Sequence, residues 1–311
     1  MRYSGLTVED IAAYQKYLIE AYEETGDTVF YSANSMWIDD DIVVNQNYID
    51  TMVKYFLSDV ENLDLQAENA PDTLNKWIDK KTNGMITKLF EEPFDRLARL
   101  VLMNAIYFKG DWTTPFDPEL TSEAAFNGLN GQTTVDMMYS DMEVLGWQGD
   151  DYTAISLPYG EDERFKMVAV LPSGDMNDFI SSLSVDELHS ILTTCELKEE
   201  SRILLPKFEM EEKITLSDTL KALGMELTFT PQADFSEISD TALYIDEVLH
   251  KAKIKVDEEG TEAAAVTGLI LRATSMPLDM FEFMADKPFL FFILDSEDNT
   301  VLFTGVVYDL D

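Results

Sequence analysis

The chain has one cysteine, Cys195, and two histidines, His189 and His250, among 311 residues. A single cysteine excludes an internal disulfide. With only two histidines beside it, a zinc site of ordinary ligand set is not expected. A cysteine nucleophile would need a histidine poised against it. His189 sits a short way before Cys195 in sequence and His250 far along the chain, so Cys195 is expected to be a buried structural thiol. Basic residues are also scarce, 22 against 60 acidic, for a formal net charge of −38. A surface of that sign repels phosphates, so nucleic acid is excluded as a partner. No apolar run reaches the roughly 18 residues of a membrane span. Met1–Arg2–Tyr3–Ser4–Gly5 lacks a basic start followed by an apolar core, so no secretory signal is visible. The protein is then cytosolic, or its signal lies on a segment outside this sequence. There is no Gly-x-Ser-x-Gly elbow, no His-Glu-x-x-His and no metal-ligand cluster, which speaks against a hydrolase. No cofactor is expected.

Apolar residues make up 46% of the chain, enough for a large core in one big domain or two ordinary ones. Helical spacing predicts a helix over 8–22 capped by Thr7, another over 45–56 capped by Asn45, and a third over 72–80 opened by Pro71 and closed by Lys81–Thr82–Asn83–Gly84. Residues 29–38 are rich in strand formers, 58–65 alternate, and 97–109 form a long apolar run. Three strand-like pieces follow between 133 and 171: TTVDMMYS, YTAISLPY and FKMVAVLP. A helical stretch over 175–194 breaks at Ser184. ILLPKFEMEEKI is strand-like around Pro206, and 216–225 is a short helix ending at Gly224. Residues 243–256 look like a strand. The chain closes on PFLFFILDS and NTVLFTGVVYD, joined at Glu297–Asp298–Asn299. Helices come first and strands follow, without regular βαβ alternation. That pattern predicts an α+β fold with mixed sheets, and without a repeat or linker, one domain over 1–311.

The segment 257–278, DEEGTEAAAVTGLILRATSMPL, departs from the rest. It starts where a strand should end and runs on before the next strong strand; loops of such length are uncommon and usually functional. Read at strand period, Thr261, Ala263, Ala265, Thr267, Leu269 and Leu271 form an uncharged face. The other face carries Glu262 and Arg272 at its ends. The segment could therefore exist as an exposed loop or as a buried strand. Composition alone favours an ordinary Ala-rich helical turn between two strands.

DEEGTEAAAVT resembles the hinge of inhibitory serpins. Four further segments resemble the same family in the same order: Asn104–Ala105–Ile106–Tyr107–Phe108–Lys109–Gly110–Asp111–Trp112, Leu205–Pro206–Lys207–Phe208, Val248–Leu249–His250–Lys251–Ala252, and Asp286–Lys287–Pro288–Phe289–Leu290–Phe291–Phe292–Ile293. Asn75–Lys76–Trp77 is similar to the helix that crosses the family's large sheet. The resemblance spans nearly the whole chain. It implies a serpin-like domain with a large central mixed sheet, two further sheets, several helices and a reactive loop over 257–280. The family opens with several further helices and a strand, so the resemblance also implies that the chain is truncated at its N-terminus.

The resemblance implies an inhibitor of serine proteases, not an enzyme. A target protease attacks the loop, forms a covalent acyl complex, and is carried along as the cut loop inserts into the large sheet. By resemblance the hinge is Glu259, Gly260, Thr261, Glu262, Ala263, Ala264, Ala265 and Val266, with Gly260 as a flexible pivot. Counting from Gly260 and back from Pro288 both place the bait bond at Thr274–Ser275. Leu271, Arg272, Ala273 and Met276 then fill neighbouring subsites. Thr274 suits elastase-like or subtilisin-like enzymes; a shifted register would make Arg272 the bait for a trypsin-like one. Asn104 and His250 match positions that control sheet opening, and Trp112 the point where the loop first enters. A non-inhibitory carrier or chaperone of the same family is the alternative. A monomer is expected, and the resemblance implies an extracellular or cell-surface setting, with the cytoplasm left open.

Overall fold

The computed structural model describes residues 7–23, 28–94, 98–245, 247–261 and 280–310. The hinge residues Glu262 to Val266, the subsite residues Leu271 to Ala273 and Met276, and the bait bond Thr274–Ser275 lie outside the described residues. Among the described residues there are three sheets, one of them large and mixed, and six α-helices, an α+β architecture. No described helix is long and apolar enough to cross a membrane. The described residues gather into two compact units, one from 7–23, 29–108 and 210–254, the other mainly from 109–209 and 255–310.

The first unit opens with helix Val8–Glu23, whose Thr7 and Asp10 exchange capping hydrogen bonds. Strand Val29–Asp39 follows and pairs in parallel with strand Asp59–Leu63. Between them, helix Gln46–Phe56 starts after Asn45, but Asn45 does not cap through its side chain as its position suggests. Its amide donates instead to the carbonyls of Ser236 and Glu237, 3.1 Å from each, so a tertiary contact replaces the local one. Helix Ala70–Lys81 buries Leu74, Asn75 and Ile78. Asn75 holds the following loop, accepting from the amides of Leu89 and Phe90 and donating to the Phe90 carbonyl. The helix stops where Asn83 and Gly84 turn left-handed, at φ 53° and 86°. Leu74 and Ile78 pack with Trp37, Met103, Ala105 and Leu249 in one core cluster.

Two long strands, Leu100–Asp111 and Glu247–Val256, run parallel, with Glu247–Lys253 paired one-to-one to Val101–Tyr107. The strand expected over 243–256 is thus shorter; Leu243 and Ile245 are buried outside it with Met36 and Ile38. The helix expected over 216–225 is regular only over Ser217–Leu220, because Gly224 at φ 99° unwinds the remainder.

The second unit holds the two other sheets. One has four strands, built on Ser122–Gly128, Gly131–Ser140, Ser201–Pro206 and Phe281–Met284. The stretch around Pro206 is two strands rather than one, Ser201–Pro206 and Phe208–Thr215, since proline supplies no ladder donor. The other sheet has six strands, with Tyr152–Tyr159, Phe165–Pro172 and Phe289–Asp295 at its centre. Every residue of Phe289–Asp295 is buried, which explains its unbroken apolar run. Helices Met176–Ser182 and Val185–Thr193 cover it, separated at Ser184, which forms a capping box with Glu187.

Candidate functional site

Two clusters contain the described residues picked out by the sequence. The first lies in the second unit, around Asp257–Thr261. Gly260–Thr261 is already a short strand. It pairs antiparallel with Gly110–Asp111, and Thr261 also pairs with Val256. Trp112 donates through its backbone to the Glu259 carbonyl at 2.8 Å and through its indole to the Asp257 carbonyl at 3.0 Å. Its ring stacks on Tyr159, centroids 4.4 Å apart and planes 13° off parallel. The Tyr159 hydroxyl lies 2.8 Å from Thr261 Oγ1, and both residues are fully buried. Burial pushes the Tyr159 phenol far up, so it stays protonated.

Gly260 sits where the backbone leaves no room for a side chain. A Cβ there would collide with the Gly110 carbonyl oxygen and lie 2.6 Å from Asp111 Cα. Glycine is required because two backbones approach closely, at φ 155°. The adjacent Glu258 turns inward. Its carboxylate accepts from Thr121 Oγ1 at 2.7 Å and pairs with Lys207 Nζ at 2.8 Å. Burial pushes Glu258 up, but the bonds from Lys207 and Thr121 outweigh it and hold the carboxyl below its ordinary value. The hydrogen bond to Glu258 in turn raises Lys207. Glu259, two places before Thr261, is pushed up by burial and by the charges of Asp257, Asp111 and Glu258.

The second cluster lies in the first unit. His250 and Asn104 are direct partners in the parallel pairing, so their side chains stand in one row. His250 Nδ1 is 2.7 Å from Asn104 Oδ1, and Asn104 Nδ2 donates to Asn34 Oδ1 at 2.9 Å. Nδ1 faces an acceptor and therefore carries the proton. Burial lowers the His250 pKa and favours the neutral ring. One residue on, Lys251 is buried; it pairs with Glu211 and donates to the Lys88 carbonyl. The row ties three strands together across the sheet face.

The profile described as "Serpin (serine protease inhibitor)" matches residues 1–310. The chain belongs to the serpin family. An uncharacterized serpin-like protein of Methanosarcina acetivorans is 36% identical over 89% of this chain and 66% of its own length. Intracellular coagulation inhibitor 2 of Tachypleus tridentatus is 32% identical over 99% of this chain and 78% of its own. The native-state crystal structure of the thermophilic serpin Tengpin superposes with a TM-score of 0.88 at 29% identity, covering 98% of this chain and 80% of that one. This serpin spans about two thirds of the length of the archaeal relative.

Three partners in these clusters escape sequence reasoning. Tyr159, Thr121 and Asn34 lie outside the segments that carry the resemblance, and each reaches its partner across a long stretch of chain. Strand period gave Tyr159 as a strand residue, but only the fold shows what it faces. Cys195 is half-buried and burial raises its thiol pKa, which suits packing and not nucleophilic attack.

Proposed function

We propose that this serpin inhibits serine proteases as a suicide substrate, with Thr274–Ser275 as the bait bond and elastase-like or subtilisin-like enzymes as targets. One observation carries the reading. Over Glu247–Lys253 and Val101–Tyr107 the two long strands pair directly with each other, whereas beyond them Gly260–Thr261 already sits in the sheet. A strand continuing from Thr261 would have to part this closed seam of parallel pairs, and the row Asn34–Asn104–His250 crosses it.

Insertion exchanges one strand–strand ladder for two. Each new ladder hydrogen bond contributes about 0.5–1.5 kcal/mol net. The uncharged face Ala263, Ala265, Thr267, Leu269 and Leu271 would follow Thr261 into the interior without burying an unpaired charge. Cleavage would free the segment after Thr261 to enter the sheet, a release of stored strain by a cut. An attacking protease joined as an acyl-enzyme to Thr274 would travel with the strand. The relative from Tachypleus carries the name of an inhibitor, in line with this reading.

The test is an SDS gel after mixing with elastase or subtilisin, followed by mass spectrometry of the released peptide. A covalent band at the summed mass, with a new N-terminus at Ser275, is the expected result. Two clean fragments and no band would overturn inhibition. A new N-terminus at Ala273 would move the bait to Arg272 and the target to a trypsin-like enzyme.

A further inference from the structure

We propose that the second unit carries a site for a small organic ammonium ion with an apolar body, in the groove between the helix pair 176–193 and the turns at 150–151 and 173–175. The groove encloses about 480 Å³, within the range of small-molecule sites. Its floor is apolar: Tyr152, Phe179, Leu183 and Ile191. The Tyr152 and Phe179 rings stand 5.8 Å apart, tilted by 55°, and so present a corner of two π-systems. Its rim carries five carboxylates, Asp150, Asp151, Asp175, Asp178 and Glu187, and no basic residue lines it.

Two of the five carboxylates have structural duties. Asp175 caps helix Met176–Ser182, and Glu187 closes the capping box with Ser184. Asp150, Asp151 and Asp178 have no ion pair or side-chain hydrogen bond among the described residues. Burial first, and then the charges of Cys195, Asp151 and Glu187, push the Tyr152 phenol up. A cation is therefore favoured by charge and by the faces of two aromatic rings, while the apolar floor selects for a hydrophobic body on the same molecule. No cluster among the described residues could hold a metal ion, and the apolar floor offers a bare ion nothing.

The inference is independent of protease inhibition. Its test titrates the protein with three near-isosteric probes, 2-phenylethylamine, 2-phenylethanol and 3-phenylpropionate, followed by calorimetry and by ring-proton NMR shifts. The amine is expected to bind with a Kd of about 0.1–1 mM, at least about tenfold tighter than the alcohol, with the acid weakest. Raising salt to about 1 M should weaken the amine and leave the alcohol unchanged. The double variant Asp150→Asn, Asp178→Asn should lose about tenfold for the amine alone, and Phe179→Leu should weaken the amine and the alcohol together. Equal binding of the three probes, no amine binding up to about 10 mM, or unchanged amine affinity in the folded double variant would each overturn the site. Both Asp→Asn positions are on the surface, so a loss of binding with an unchanged melting temperature cannot come from misfolding.

Discussion

The Tyr159 hydroxyl and the Thr261 hydroxyl hydrogen-bond at 2.8 Å in a fully buried spot, beneath the ring of Trp112. This pairs Thr261, in the large sheet, with a strand of a different sheet. Tyr159→Phe removes one hydroxyl and strands the other, at a cost of about 1–3 kcal/mol. Thermal melting should fall by a few degrees. The more diagnostic change is in hydrogen exchange: the Thr261 amide should lose protection more than the amides of Phe289–Asp295, which take no part in this contact. Equal loss everywhere would mean the hydroxyl pair does not seat Thr261.

Gly260→Ala tests the backbone approach. The added methyl meets the Gly110 carbonyl and the Asp111 Cα, both backbone, so neither can swing aside like a side chain. The variant is expected to lose stability by more than about 1 kcal/mol, the ordinary cost of a glycine replaced where φ is positive. It should also expose the Trp112 indole, raising its quenching by iodide. A melting curve and quenching constant equal to the parent's would show that this approach is not needed.

Glu258 gives a pH dependence with a defined sign. Its carboxyl is held below the ordinary value in the folded protein, chiefly by Lys207 and Thr121 working against burial. Folding then favours the charged form. The stabilisation is fully present above the unfolded carboxyl pKa of about 4.3 and is lost as pH falls through the lower folded value. Glu258→Gln should therefore melt below the parent at pH 7, and the gap should narrow below about pH 4. A gap that stays constant with pH would mean that Lys207 contributes nothing through charge.

Much of this was legible in the sequence, and the misses share one cause. The helix period placed Ala70–Lys81 and an unbroken apolar run marked Phe289–Asp295, whereas the strand Leu100–Asp111 showed only as an apolar run over 97–109, because burial on both faces leaves no alternation to read. The register between His250 and Asn104 follows once the two strands are known to be parallel neighbours, which no local pattern states. Short strands such as Glu196–Lys198 and Val144–Gln148 were missed because so few residues cannot show a period, and each has two exposed positions. Asn45 was misread because a capping residue and a tertiary hydrogen-bond donor look alike in sequence. Glu258 stood in view inside the hinge motif, yet its partners Thr121 and Lys207 come from separate strand boundaries and only the fold brings them together.

His250 predicts the opposite end of the neutral range. Burial holds its pKa below the ordinary value, so the folded protein prefers the neutral ring that donates to Asn104. Stability from this group is present above the unfolded pKa of about 6.5 and is lost as pH falls through the folded value, because the unfolded chain takes up the proton first. His250→Gln keeps a donor for Asn104 but does not titrate. The parent should therefore lose melting temperature relative to His250→Gln between about pH 7 and pH 5. Parallel curves over that range would mean the ring is not sequestered.

The closed seam makes a prediction about the cut form. In the intact protein the pairs between Glu247–Lys253 and Val101–Tyr107 leave no room for a strand between them. If severing the loop lets the segment after Thr261 enter, the large sheet gains a central strand with partners on both sides, and the apolar face from Ala263 to Leu271 leaves water. Gains on the order of 5–10 kcal/mol raise melting by roughly 15–30 °C. Protein nicked by a catalytic trace of elastase should therefore melt at least about 15 °C above the intact form. Thr261→Arg places a charge at a fully buried position, and the nicked variant should gain little or nothing. Asn104→Ala, which cuts the row across the seam, should let a synthetic peptide of residues 261–274 anneal faster, seen as a mobility shift on a native gel. A nicked parent that melts with the intact one would remove insertion, and with it the physical reason for a covalent trap.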